Sequence, residues 1–274
     1  MSIFVQAPAK VHLYLDIIDK DPATGYFYTS SILVLVPTLF DEITIEPLPG
    51  YFHIDVVQDP KSKFKVPLGE DNICFKAASL LHKEAMATGN DHKLSAIKIM
   101  IKTNISPMGG FGTGSSNAAA VIRALNKLWD LNFSHQQLVD IVAEIGMEGI
   151  FFMENVQCAY VNNFTGECEE IEMSGKLSLE FFDTEVQISV DEILKHIDME
   201  KCRGNKEASV ALWQDLIEEP SSVHAHLHND LERVIGKLYP EIAKWLEKLR
   251  NKYSAAFLCG AGNCIAVITR GAKP

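Results

Sequence analysis

Residues Pro107-Met108-Gly109-Gly110-Phe111-Gly112-Thr113-Gly114-Ser115-Ser116-Asn117-Ala118-Ala119 carry the strongest chemical signal in the chain. Gly109, Gly110, Gly112 and Gly114 let the main chain turn sharply and approach a ligand closely. Ser115 and Ser116 then open a strongly helical segment. The first-turn amides of a helix have no internal partner and sit at its positive end, so this arrangement suits a phosphate group. The segment is not a Walker A loop, because no Gly-Lys-Ser/Thr follows the glycines. Nor does its spacing fit the dinucleotide fingerprint. The same residues also read as a glycine-rich turn with a serine cap.

Three further positions qualify. Lys10 follows Ala7-Pro8-Ala9 and opens a well-patterned strand, which fixes its position more firmly than that of an ordinary surface lysine. Glu148 stands between Gly146, Gly149 and the apolar run Ile150-Phe151-Phe152. Partial burial there would raise its pKa and suit it to proton transfer, whereas a loop glutamate facing water would do nothing. Cys259-Gly260-Ala261-Gly262-Asn263-Cys264 reads as a hairpin turn whose amides could also meet an anion.

The elements that must position these residues are mixed. Val11, Leu13, Leu15 and Ile17 alternate with His12, Tyr14 and Asp16, the pattern of a half-buried strand. Further strands are expected at Ser31–Pro37, Asp41–Pro47, Phe52–Val57 and Ile97–Ile101, with a helix from Asn72. After the glycines, Ala118, Val121, Ile122, Leu125, Leu128 and Trp129 share one helix face. Ser134 and Gln137 form a capping box for a helix through about Ile145. Beyond that, strands are expected near Gln157–Val161 and Leu177–Val190. Helices follow near Lys206–Ile217 and His228–Arg250, then a hairpin around Ala261–Asn263. Strands followed by helices in both halves predict α+β layers, with a division into residues 1–155 and 156–274.

Composition narrows the function classes. Hydrophobic residues make up 47% and charged residues 22% of the 274, which is globular rather than disordered. With 25 Lys and Arg against 36 Asp and Glu the net charge is −11, which disfavours broad nucleic-acid binding. The start MSIFVQAPAK lacks the basic-then-apolar pattern of a secretory signal, and no run reaches the roughly 18 apolar residues of a spanning helix. Six scattered cysteines without a CxxC pair read as reduced thiols, and cytoplasmic placement without membrane contact is expected.

The order of motifs resembles the GHMP kinases, over nearly the whole chain. The shared features are Ala7-Pro8-Ala9-Lys10, Gly25-Tyr26, Asp41-Glu42, Asn72, Pro107-Met108-Gly109-Gly110 leading to Ser115-Ser116, Phe151-Phe152, Asn229-Asp230-Leu231-Glu232 and Gly260 to Cys264. The resemblance is strongest to the branch that phosphorylates a hydroxyl of 4-diphosphocytidyl-2-C-methyl-D-erythritol in non-mevalonate isoprenoid (terpenoid) biosynthesis. It implies an N-terminal domain like ribosomal protein S5 and a ferredoxin-like C-terminal domain. It further implies ATP with Mg2+, and a monomer or homodimer. Residue by residue, Lys10 and Glu148 match the catalytic pair. Pro107, Gly109, Gly110, Gly112, Gly114, Ser115 and Ser116 match the phosphate loop, while His12, Tyr26 and Phe27 fall at substrate-side positions.

The departures are specific. The loop is one residue short, and Phe111 and Thr113 stand where the family prefers glycine or leucine. Glu148 replaces an aspartate, and Gly149-Ile150 replaces Val-Pro. His12 stands for asparagine and Phe27 for a cytosine-binding histidine. Two other readings follow from these departures: a GHMP kinase for another small alcohol, or a non-catalytic nucleotide-binding relative.

Overall fold

Alternation along the first strand suggests one wet face, yet residues 10–17 are buried on both. The computed structural model describes residues 2–202, 206–220 and 222–269. Its contacts divide the chain into two units that interleave in sequence. One comprises residues 1–9, 36–107 and 112–155, the other 10–35, 108–111 and 156–274. Strands β1 (Ile3–Lys20) and β2 (Phe27–Leu48) each begin in one unit and end in the other. The two stretches expected as separate strands around Pro37 form the single long β2, with Pro37 at an exposed position.

In the first unit, the end of β2 pairs antiparallel with β4 (Ala96–Lys102), and β4 pairs parallel with β3 (Ile54–Gln58). Helices α1 (Ile73–Ala87), α2 (Thr113–Leu128), α3 (His135–Ala143) and α4 (Glu148–Glu154) pack on one another. Asn72 caps α1: its side chain accepts the Cys74 amide at 2.8 Å and donates to the Pro67 carbonyl at 2.6 Å. The expected capping box at Ser134 and Gln137 is present on α3. Gly149 permits α4 to approach α3, since a Cβ there would lie 2.6 Å from Val142 Cγ2.

In the second unit, residues 30–34 of β2 pair antiparallel with β5 (Cys158–Asn162), which pairs with β6 (Glu167–Glu170). A separate sheet orders β7 (Ser178–Asp183), β10 (Cys264–Thr269) and β9 (Ala256–Leu258). Helices α5 (Val190–Lys195) and α6 (Lys206–Glu218) follow β7. The region expected as one helix from His228 is instead the short strand β8 (His228–Asn229), then α7 (Leu231–Leu238) and α8 (Pro240–Arg250). Pro240 supplies the break, because it removes an amide and suits a first helical turn. Leu15, Ile17, Ile193, Leu231, Ile235, Ile242, Leu246, Leu258 and Ile265 form the core beneath these elements. Among the described residues, no helix is long and apolar enough to cross a membrane.

Asp41 anchors the segment leading to the glycine loop and is fully buried. Its carboxylate accepts the amides of Asn104 and Ile105 at 2.7 and 3.0 Å, and the Asn117 side-chain amide of α2 at 3.1 Å. Burial raises its pKa, and the three donors oppose that shift without cancelling it. An acid whose folded pKa exceeds its unfolded value loses stability as pH rises from the unfolded pKa, about 4, through the folded one. Asp41→Asn removes this titration. Its amide can donate to Asn117 Oδ1, a buried atom without a hydrogen-bond partner, once the Asn117 amide turns over. Urea unfolding across pH 4 to 7 is expected to show Asp41→Asn gaining on the wild type as pH rises. A pH-independent difference would contradict the cause assigned.

Candidate active site

Lys10 is 2% exposed, and a buried ammonium without partners costs several kcal/mol. Its Nζ lies 2.6 Å from His12 Nε2 and donates to the Gly110 carbonyl at 3.0 Å. Bonds to a charged donor contribute about 1.5–3 kcal/mol each, so these two offset a good part of the burial cost. The backbone holds them. Lys10 N–H donates to the Phe111 carbonyl at 3.0 Å, and His12 N–H to the Cys259 carbonyl at 3.1 Å. One strand thus fastens both glycine segments.

Those segments interlock. A Cβ on Gly262 would overlap the peptide joining Gly109 to Gly110. One on Gly110, whose φ is +81°, would lie 2.9 Å from the Gly262 nitrogen. A Cβ on Gly260 would meet Lys10 Nζ at 3.3 Å and His12 Cδ2 at 3.0 Å. The Asn263 amide donates to the Met108 carbonyl at 2.8 Å, and Asn229 Nδ2 to the Gly260 carbonyl at 3.3 Å. Phe111, 4% exposed, lays its ring where a Gly109 side chain would stand and meets Phe181 edge to face at 5.3 Å. Burial raises the pKa of the Cys259 thiol well above its usual range and lifts that of Cys264 to about 12, so both stay protonated.

In the other unit, Gly112 (φ +68°) precedes α2, and Ser116 makes the first intrahelical bond, to the Gly112 carbonyl at 3.0 Å. The amides of Thr113, Gly114 and Ser115 therefore have no partner within the helix. Ser116 Oγ is buried without a hydrogen-bond partner, and a Cβ on Gly114 would meet no atom within 4 Å. This helix end has donors and a hydroxyl of the kind a phosphate takes. Ser115 Oγ is 3.9 Å from the Cβ position of Gly146, two residues before Glu148, which opens α4 and is half-buried. Pro107 is exposed.

The sequence-derived residues thus fall into groups. Lys10, His12, Gly109 and Gly110 form one cluster; Gly112, Gly114, Ser115 and Ser116 form another, with the Glu148 segment beside Ser115. Tyr26 and Phe27 stand at the turn end of the β1–β2 hairpin, outside the Lys10 cluster. Tyr26 is 46% exposed, accepts from Asn163 Nδ2 at 3.2 Å and meets Tyr28 edge to face; Tyr28 in turn meets exposed Phe164. Phe27 packs against the core with Lys20 over its ring. The sequence does not single out Tyr28 or Phe164, because an isolated aromatic in a strand or a turn reads as packing. Asp16 was missed because its alternation mimics a solvent face. It lies beside His228, whose pKa is pushed up to about 9 by Asp16 and Asp230.

Comparison with known proteins gives the family and the fold. Residues 72–153 match the GHMP kinases N terminal domain, and residues 214–273 match the GHMP kinases C terminal domain. A 4-diphosphocytidyl-2-C-methyl-D-erythritol kinase of Bacillus velezensis is 30% identical over 270 residues, covering 96% of this chain and 86% of the relative. One from Shouchella clausii is 31% identical over 256 residues, covering 91% and 80%. The fold matches a crystal structure of 4-(cytidine 5'-diphospho)-2C-methyl-D-erythritol kinase with TM-score 0.77 at 20% identity, covering 98% and 91%. It also matches Streptococcus pneumoniae phosphomevalonate kinase in complex with phosphomevalonate and AMPPNP, with TM-score 0.72 at 13% identity, covering 98% and 93%. With a buried lysine gripped by paired glycine turns and a helix opening on a glycine loop, the chain is an α+β protein that belongs to the GHMP kinase family.

Proposed function

We propose that this protein transfers the γ-phosphoryl group of ATP to a hydroxyl of 4-diphosphocytidyl-2-C-methyl-D-erythritol. The observation that carries the reading is Lys10, a buried cation fixed by a carbonyl of the glycine loop itself. Relatives of that name at 30 and 31% identity, matched over nearly the whole chain, supply the acceptor. Phosphoryl transfer demands little covalent help from a protein; positioning and charge neutralisation dominate. Lys10 neutralises charge on the transferred group. The amides at the start of α2, with Gly109, Gly110, Gly112 and Gly114 shaping the approach, hold the phosphates. Glu148 takes the proton of the attacking hydroxyl from the first turn of a helix that Gly149 lets approach Val142. The Ser115 and Ser116 hydroxyls are oxygen donors that would hold Mg2+ brought by the nucleotide, which would offset charge on the phosphates. Tyr26 offers an exposed ring to a base, and His12 borders the acceptor. We assign the protein to the cytoplasm, consistent with its six free thiols.

A second reading has one observation in its favour. Phe27 packs into the core and has no side-chain group to bond cytosine, so another small alcohol remains an acceptor candidate. ADP release measured against the diphosphocytidyl alcohol and a panel of sugars, polyols and isoprenoid alcohols separates the two. The diphosphocytidyl substrate is expected to give the highest kcat/KM, with Glu148→Gln reducing kcat on the order of 100-fold or more. A faster panel alcohol would transfer the assignment to it, and an unchanged Glu148→Gln rate would remove Glu148 from the mechanism.

Two glycine substitutions dissect the loop. Gly114→Ala meets no protein atom, so its stability is expected to match the wild type or rise by about 1 kcal/mol, while KM for ATP rises at least tenfold. Gly262→Ala overlaps the Gly109–Gly110 peptide and is expected to lose about 1–3 kcal/mol of stability together with activity. Thermal melts and ATP titrations read both. Wild-type KM in Gly114→Ala would place the phosphates elsewhere.

A further inference from the structure

Lys10, His12, Tyr14 and Asp16 form a buried polar row along one side of β1, and the row ends in a group that phosphoryl transfer does not use. The parallel register of β1 and β8 sets Tyr14 beside His228 and Leu15 beside Asn229. Asp16 and Asp230, one residue further along each segment, flank the His228 ring. Nε2 of His228 is 3.0 Å from Asp16 Oδ1 and 3.1 Å from Asp230 Oδ1.

The second oxygen of each carboxylate is already engaged. Asp16 Oδ2 accepts the Tyr14 hydroxyl, and Asp230 Oδ2 accepts the Ile17 amide at 2.8 Å. Each Oδ1 is thereby aimed at the same point. One ring N–H cannot serve two acceptors well, and it serves Asp230. Asp16 Oδ1, in a residue 4% exposed, makes an ion pair with the ring nitrogen at 3.0 Å but lies outside hydrogen-bond geometry. Ligands bound at about 2.0–2.2 Å stand roughly 3.0–3.5 Å apart around a metal, which matches the two separations here. Outer partners that fix ligand orientation, as the Tyr14 hydroxyl and Ile17 amide do, are the usual support of such centres. Room for completing water exists as well, since Asp16 borders a cavity of 410 Å³ and His228 one of 380 Å³.

We propose that Asp16, His228 and Asp230 form a site for a divalent transition cation, Zn2+ in the first instance, separate from any magnesium carried by ATP. One imidazole with two carboxylates favours Zn2+ or Mn2+ over Mg2+ and Ca2+. The ion would tie β8 and the start of α7 to β1. It would thereby steady Asn229, which holds the Gly260 carbonyl of the interlocked turn.

Calorimetric titration of Zn2+ into EDTA-stripped, nucleotide-free protein tests this, with Co2+ absorption as a spectroscopic readout. One equivalent is expected to bind and to raise the melting temperature by several degrees. Asp16→Asn and His228→Gln should each weaken binding at least tenfold, with far-UV dichroism in EDTA unchanged. The His228 side chain is 30% exposed, so His228→Gln decides alone if Asp16→Asn fails to fold. Stoichiometric binding retained in His228→Gln, a thiolate-to-cobalt charge-transfer band marking cysteine ligation, or no bound equivalent would each overturn the site.

Discussion

A buried ammonium that must be paired is the constraint on which the rest of this structure depends. Lys10 lies 2% exposed on β1, and His12 and the Gly110 carbonyl are among the partners that make its charge tolerable there. The Gly110 carbonyl is fixed because Gly262 allows its backbone against the Gly109–Gly110 peptide, and Gly260 leaves space for Lys10 Nζ. Positive φ at Gly110 bends the loop into that contact. Turns separated by some 150 positions in the sequence therefore form one physical object around a single charge. Its glycines are needed for proximity more than for flexibility.

Departures from the family pattern acquire physical meanings in this setting. Phe111, in the middle of the glycine loop, is buried. Its ring covers Gly109 and packs against Phe181, so the bulk is absorbed by the second unit's own sheet. Gly149 lets α4, the helix that begins with Glu148, approach Val142 closely. His12 accepts from Lys10. Phe27, partly buried, packs against the core.

Much of this was legible in the sequence, and the remainder failed for identifiable reasons. The glycine loop, its helix and the capping box at Ser134 could be read because turn and cap chemistry is local. Lys10 could be marked but not understood, since its partners come from residue 110 and from the fold of the strand. The strand itself misled: alternation records which residues differ, not whether the polar set meets water or an internal network. Asp16 was hidden by that ambiguity. Pro37 reads as a boundary, although an exposed position tolerates it within a long strand. The segment from His228 carried a helical pattern, and only Pro240 signalled its division.

The direct test of the account is the single-turnover rate of ADP formation by Lys10→Met, which keeps an unbranched side chain of similar bulk and removes the charge. With folding verified by dichroism, the account predicts a rate lower by on the order of 100-fold or more. A rate within a factor of about three of the wild type, some 0.6 kcal/mol, would show that the buried ammonium is structural alone.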